Sequence, residues 1–200
     1  MADFEIFYPK LQQAEGLFAD NPADSGGMTY AGIASQANPN WPGWHTILAA
    51  LKALNLSRPV PRADWARVNA YLKTNKALAA SVKAFYKANY WDALQLDYVN
   101  SQAIANELCD TGVNAGVSRS ATYLQRAINV TNNLGRWGKD IVVDGKVGPN
   151  TINALNSHKR PDLVLKALNI LQGNLYITIA ESSKSQEQFI NSWFSRVALA

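Results

Sequence analysis

Glu15 carries the strongest chemical signal in this sequence, because it is a carboxylate on an apolar stripe. Phe4, Phe7, Tyr8, Leu11, Ala14 and Phe18 recur at the spacing of one helix face, the mark of an amphipathic helix. Glu15 falls on the same face, between Leu11 and Phe18, so its carboxyl points into protein. Burial disfavours the charged form, and the partial negative charge at a helix C-terminus pushes the same way. A carboxyl that keeps its proton near neutral pH is what a general acid requires. Pro9 either kinks the early part of this helix or sets its start, since it has no N–H to give.

The segment Asn21 to Gly27, reading Asn-Pro-Ala-Asp-Ser-Gly-Gly, packs turn formers too densely for a helix to continue. The helix is therefore expected to end near Phe18. The turn brings Asp20 and Asp24, then Ser25, Thr29 and Tyr30, within reach of folding back over Glu15. Two carboxylates across a cleft are the equipment of glycoside hydrolysis, one protonating the leaving oxygen while the other positions water or stabilises an oxocarbenium-like transition state. On position alone, a structural Glu15 and a turn-capping Asp24 fit equally well, and Asp20 and Asp24 compete for the second role.

Other chemistries fit poorly. The one cysteine, Cys109, lies in an apolar helical pattern, the setting of a buried small side chain. It allows no intrachain disulfide and suits a reducing compartment. His45 and His158 stand far apart without Cys or His neighbours, so no zinc site is expected. No G-x-S-x-G nucleophile motif occurs. Lys and Arg exceed Asp and Glu by 19 to 15 without any basic run, which argues against nucleic-acid binding. The mild positive bias suits approach to an acidic polymer, and equally suits plain solubility.

The positioning elements read as helices. Hydrophobic residues make up 48% and charged residues 17%, a globular composition, and the length suits one compact domain or two closely packed subdomains. Helical patterns run over 44–55, 62–73, 75–90, 98–116, 119–130, 149–157, 161–182 and 187–197. Asn100-Ser101 and Ser118 read as caps, and Pro161 as a first-turn proline. The fold class is all-α, with at most small hairpins near 20–35 and 141–147. Around the second of these, Gly145 and Gly148 permit a tight turn, Pro149 opens a helix, and Asp144 or Thr151 caps it. The N-terminus shows no basic segment followed by an apolar core, and no 18 consecutive residues are apolar, so neither a signal peptide nor stable membrane insertion is expected.

Glu15-Gly16-Leu17-Phe18, followed by Asn21-Pro22-Ala23-Asp24-Ser25-Gly26-Gly27-Met28-Thr29-Tyr30-Ala31-Gly32-Ile33, closely resembles the opening of the glycoside hydrolase family 108 N-acetylmuramidases. Their pattern is E-G-G-Y, then N-D-P-x-D-x-G-G-x-T-x-x-G-I. Leu17 stands where that family usually has Gly, and Phe18 where it usually has Tyr. The resemblance implies a lysozyme-like helical fold and makes Glu15 the catalytic acid. The order Glu15, Asp24, Thr29 is also similar to the glutamate, aspartate and threonine of phage-type lysozymes, which implies that Asp24 and Thr29 hold the attacking water. Tyr86 and Tyr90-Trp91-Asp92 resemble the family's Y-x-x-x-Y-W element. Tyr30, Trp91 and Asn114 are the implied substrate-binding residues, and for Tyr86 and Trp91 a place in the core or wall is the favoured alternative.

The second half resembles the family's usual companion, a predicted peptidoglycan-binding domain, through Asp110, Val113-Asn114, Gly116, Ala121, Leu124 to Ala127 and the stretch Val143 to Leu155 that begins Val-Asp-Gly-Lys-Val-Gly-Pro. The implied division is a hydrolase segment at 1–97, a peptidoglycan-binding helical segment at 98–182 and a C-terminal helix at 183–200, packed as one compact unit. The implied activity is hydrolysis of the β-1,4 bond between N-acetylmuramic acid and N-acetylglucosamine, with neither metal nor organic cofactor. A lytic transglycosylase and a catalytically silent peptidoglycan-binding or secretion-assisting protein are the alternatives. The implied partner is the glycan strand of the wall. A chain made in the cytoplasm without a signal peptide would need a holin, as a prophage endolysin does, or a dedicated export system.

Overall fold

The structure is a computed structural model and describes residues 1–14, 17–22 and 26–197, with the backbone alone at 12–14. Among the described residues the fold is all-α apart from one two-stranded hairpin, as the sequence predicts. The chain forms two compact units, Glu5–Ala88 on the one hand and Met1–Phe4 with Asn89–Ala200 on the other.

In the first unit, helix α1 (Phe4–Ala14) turns Phe7, Tyr8 and Leu11 inward. Pro9 sits inside the helix and neither stops nor starts it. The predicted end near Phe18 shifts: Leu17 and Phe18 have non-helical backbone. Phe18 is nevertheless buried, and its N–H donates to Asn69 Oδ1 at 2.8 Å. That side-chain acceptor replaces the helical carbonyl a longer α1 would have offered.

The hairpin near 20–35 forms from β1 (Thr29–Tyr30) and β2 (Ile33–Ala34), paired antiparallel with Tyr30 opposite Ile33. Its two tip residues, Ala31 and Gly32, both have positive φ, 46° and 75°, as a tight hairpin with matching twist demands. Ala19 extends the ribbon through reciprocal backbone bonds with Thr29 of 2.9 and 2.8 Å.

Helices α2 (Gly43–Ala53), α3 (Trp65–Leu72) and α4 (Lys76–Tyr86) complete the unit. Gly43 is required where it stands, since a Cβ there would lie 2.2 Å from the Trp41 ring. Asn75 caps α4 by accepting from Leu78 N–H at 2.9 Å. The helix expected over 75–90 stops being α-helical at Tyr86 and widens into a π-helical turn over Lys87–Asp92.

The second unit is built on α5 (Gln102–Ala115), α6 (Val117–Thr131) and α8 (Pro161–Ser182), which pack on one another. Ser101 caps α5 through Ile104 N–H. Ser118 does not cap α6, contrary to expectation: the helix starts at Val117 after Gly116, whose φ of 93° makes the break between α5 and α6. Ser120 and Ala121 let α5 and α6 approach closely, and the Ser120 hydroxyl donates to Leu108 O at 2.7 Å. Cys109 lies in α5 fully buried, and burial, reinforced by Asp110, pushes its thiol up.

Helix α8 is long and apolar enough to cross a membrane by length and composition. Here it packs on α5 and α6 with Val164, Leu168, Asn169, Gln172 and Tyr176 buried. The C-terminal helix α9 (Ile190–Phe194) places Trp193 in a stack on Tyr176 with ring centres 5.4 Å apart.

Pro149 and Pro161 open α7 (Pro149–Ser157) and α8 as predicted. Neither Asp144 nor Thr151 caps α7, because Gly148 occupies the cap position and the Asp144 carboxylate is already held elsewhere. No strand pair forms over 141–147 among the described residues. Side-chain amides take the place of a partner strand. Asn129 accepts from Ile141 N–H and donates to Ile141 O at 2.9 and 2.8 Å. Gln125, 1% exposed, accepts from the N–H groups of Asp144 and Gly145 and donates to Lys146 O and Asp144 Oδ1.

Candidate active site

The Glu5–Ala88 unit contains a cavity of about 380 Å³, a size typical of small-ligand sites. Helix α1 gives it Tyr8 and Leu11, the hairpin gives Tyr30 and Ala31, α3 gives Asn69 and its C-cap Lys73, and α4 with its cap gives Asn75, Val82 and Tyr86. Leu11 and Leu17, which flank Glu15 in sequence, both line it.

Its described walls are apolar with a few polar groups, a pattern that grips a sugar by ring faces and hydroxyls. Burial raises the pKa of the Tyr8 and Tyr30 phenols, and for Tyr8 the neighbouring Tyr30 and Glu5 add to it. Both therefore stay neutral at ordinary pH and can donate as well as accept. Tyr86 is buried, and its hydroxyl donates to Ala31 O at 2.8 Å. That bond fixes the tip of the hairpin against α4. Lys73, exposed at the C-terminus of α3, is the one formally charged side chain among the described lining residues.

The residues expected from sequence fall in different places. Glu15 and Asp24 lie outside the described residues. Asp20 is 3% exposed and held by Arg58: Nε donates to Oδ2 and Nη2 to Oδ1, both at 3.0 Å, and Val60 N–H adds a bond of 3.0 Å. Burial alone would raise its pKa, but these three bonds and the guanidinium charge outweigh it and hold the carboxyl below the usual range. An anion so fully committed has little capacity left to activate water. Thr29 is half-buried on β1, with its hydroxyl donating to Gly27 O at 3.4 Å. Tyr30, next to it, faces the cavity.

Trp91 and Asn114 belong to the other unit. The Trp91 indole is 0% exposed, donates to Asp97 Oδ1 at 2.6 Å and packs edge-on against Phe4 with centroids 5.4 Å apart. It is a core side chain and offers no surface to a ligand in this conformation. Asn114 is exposed on α5 and donates to Asp110 O at 2.8 Å.

Sequence reasoning passed over Asn69, Lys73 and Asn75, which carry no motif. It read Tyr8 only as part of an apolar stripe, although a phenol on such a stripe is a polar group that must find a partner or a cavity. Among the described residues no three His, Cys, Asp or Glu side chains gather where a metal ion would sit.

Residues 8–116 match the family model described as Glycosyl hydrolase 108, and residues 119–198 match one described as Predicted Peptidoglycan domain. No curated protein matches the sequence. Among solved structures, that of SagA from Brucella abortus is 22% identical, with 97% of this chain and 88% of that chain covered and a TM-score of 0.57. Likeness at that identity shows a shared fold.

Proposed function

The chain belongs to the glycosyl hydrolase 108 family, and from that premise we propose that it is a lysozyme-type N-acetylmuramidase with Glu15 as its general acid. Glu15 donates its proton to the oxygen of the β-1,4 bond between N-acetylmuramic acid and N-acetylglucosamine as that bond breaks. Asp24 or Thr29 orients water on the opposite face of the sugar, whose ring carries the developing positive charge. The observation that carries this reading is the cavity whose wall includes Leu11 and Leu17, on either side of Glu15 in the chain, together with the Tyr8 and Tyr30 hydroxyls. Apolar walls favour the protonated carboxyl. The engagement of Asp20 by Arg58 supports Asp24 over Asp20 as the second carboxylate.

The match to a peptidoglycan domain over 119–198 supports peptidoglycan as the polymer. In this reading residues 1–97 carry the chemistry, the helical segment 98–182 holds the glycan strand, Asn114 offers it an exposed amide, and 183–200 packs on that segment. The enzyme acts at the wall after passage through a holin or an export route.

Glu15→Gln tests the assignment: clearing of a bacterial wall suspension should fall by about a hundred- to ten-thousandfold, the scale of general-acid catalysis, with the thermal transition unchanged. A fully active variant overturns it. Mass spectrometry of the products should find reducing ends; 1,6-anhydro ends would make the chain a lytic transglycosylase. Binding to sacculi without cleavage would make it a catalytically silent wall protein.

A further inference from the structure

One charged side chain in the described wall of the cavity has no part in the proposed hydrolysis. Among the cavity's described lining residues Lys73 is a cation and none is a carboxylate. Two other cations of this unit meet acids: Arg58 with Asp20 at 3.0 Å and Lys83 with Glu5 at 2.5 Å. Lys73 has no ion-pair partner among the described residues. Its backbone is pinned, since its N–H donates to Asn69 O at 2.9 Å at the end of α3, while the side chain stays exposed. Asn69 and Asn75, also in the wall, flank it in sequence, and each has its Oδ1 occupied by a backbone N–H.

A wall strand differs from a plain N-acetylglucosamine polymer in one feature such a lysine can read. The uncharged polymer has no acid group, whereas each muramyl unit bears a lactyl group. Its carboxylate is free on denuded strands. On intact strands it is amide-linked to a peptide stem that brings carboxylates of its own. An ammonium against an apolar wall feels such an anion more strongly than it would in open water.

We propose that Lys73 makes the cavity selective for muramyl units bearing a free carboxylate, by pairing with that carboxylate at its rim. The proposal rests on the reading of the cavity as the glycan site. Lysine at a helix C-terminus also suits the helix dipole, but a purely structural role would leave ligand discrimination untouched.

The test measures binding in chains that also carry Glu15→Gln, so that no ligand is cut. Calorimetry compares an N-acetylglucosamine oligomer, a denuded muramyl oligosaccharide of equal length, the same sugar with its lactyl group methyl-esterified, and muramyl sugars carrying an alanyl-glutamate stem with both stem carboxyls free or both amidated. With Lys73 present, carboxylate ligands should bind roughly three- to tenfold more tightly than blocked or neutral ones, the scale of a part-exposed charge pair. Raised salt should erase the difference. Lys73→Gln should reduce the ratio to about one, and Lys73→Arg should restore it. The lactyl and stem arms tell which carboxylate is read. Equal affinity for all the ligands, or a preference that survives Lys73→Gln, overturns the proposal and leaves the glycan site standing. Failure of every ligand to bind overturns both.

Discussion

The Gln125 amide and Asp144 hold each other twice: Nε2 donates to Asp144 Oδ1 at 2.7 Å, and the Asp144 N–H donates to Oε1 at 3.0 Å. With the further bonds to Gly145 N–H and Lys146 O, one buried amide side chain satisfies the turn that a partner strand would otherwise have to pair.

Gln125→Leu keeps the volume and removes all of these bonds from a turn whose residues Asp144 and Lys146 are exposed to water. The expected cost is roughly 1 to 3 kcal/mol, read from the urea unfolding midpoint. A loss below about 1 kcal/mol would mean that the turn is held by other contacts.

Asp20 and Asp24 should separate by phenotype. Asp20→Asn leaves Arg58, 44% exposed, without its bidentate partner, so stability should drop by roughly 1 to 2 kcal/mol while kcat of the folded fraction is preserved. Asp24→Asn should lower kcat with little change in Tm. The opposite pattern would transfer the second catalytic role to Asp20.

Glu107 gives the protein a pH dependence of its own. Buried on α5 near Asp110 and Thr111, with Tyr176 of α8 and the Asp110-bound Arg196 close by, its carboxyl is pushed from 4.5 up to about 7 by burial and then by Asp110, against a smaller effect of Thr111. Between those values the unfolded chain has released a proton that the folded chain still holds, so the stability that Glu107 contributes is complete below pH 4.5 and is lost as pH rises to about 7. Glu107→Gln should flatten that fall and stabilise the protein at pH 8 relative to pH 4.5, by the order of a few kcal/mol. Parallel Tm curves for variant and wild type would show that Glu107 titrates normally.

Much of the helical framework was legible because its signals are local. Pro149 and Pro161 mark helix starts, Ser101 supplies a cap, and the Gly-rich run before Thr29 announces a hairpin. What the sequence hid depends on distant partners. Nothing near Asp20 tells that Arg58 claims its carboxylate, and nothing near Gln125 tells that residues 144–146 fold over it. The same holds for the site. Tyr30 could be placed from the motif around it, whereas Asn69 and Lys73 reach the cavity only because α3 packs with α2 beside it. Trp91 drew notice as an aromatic in a motif, yet a motif does not distinguish a wall from a core.

Cys109 has a use that follows from where it sits. As the chain's single cysteine, sealed inside α5 with its ionisation suppressed, it can meet an alkylating reagent only while that helix is transiently open. Its labelling rate is thus a built-in clock for the breathing of the bundle, available without introducing any foreign probe.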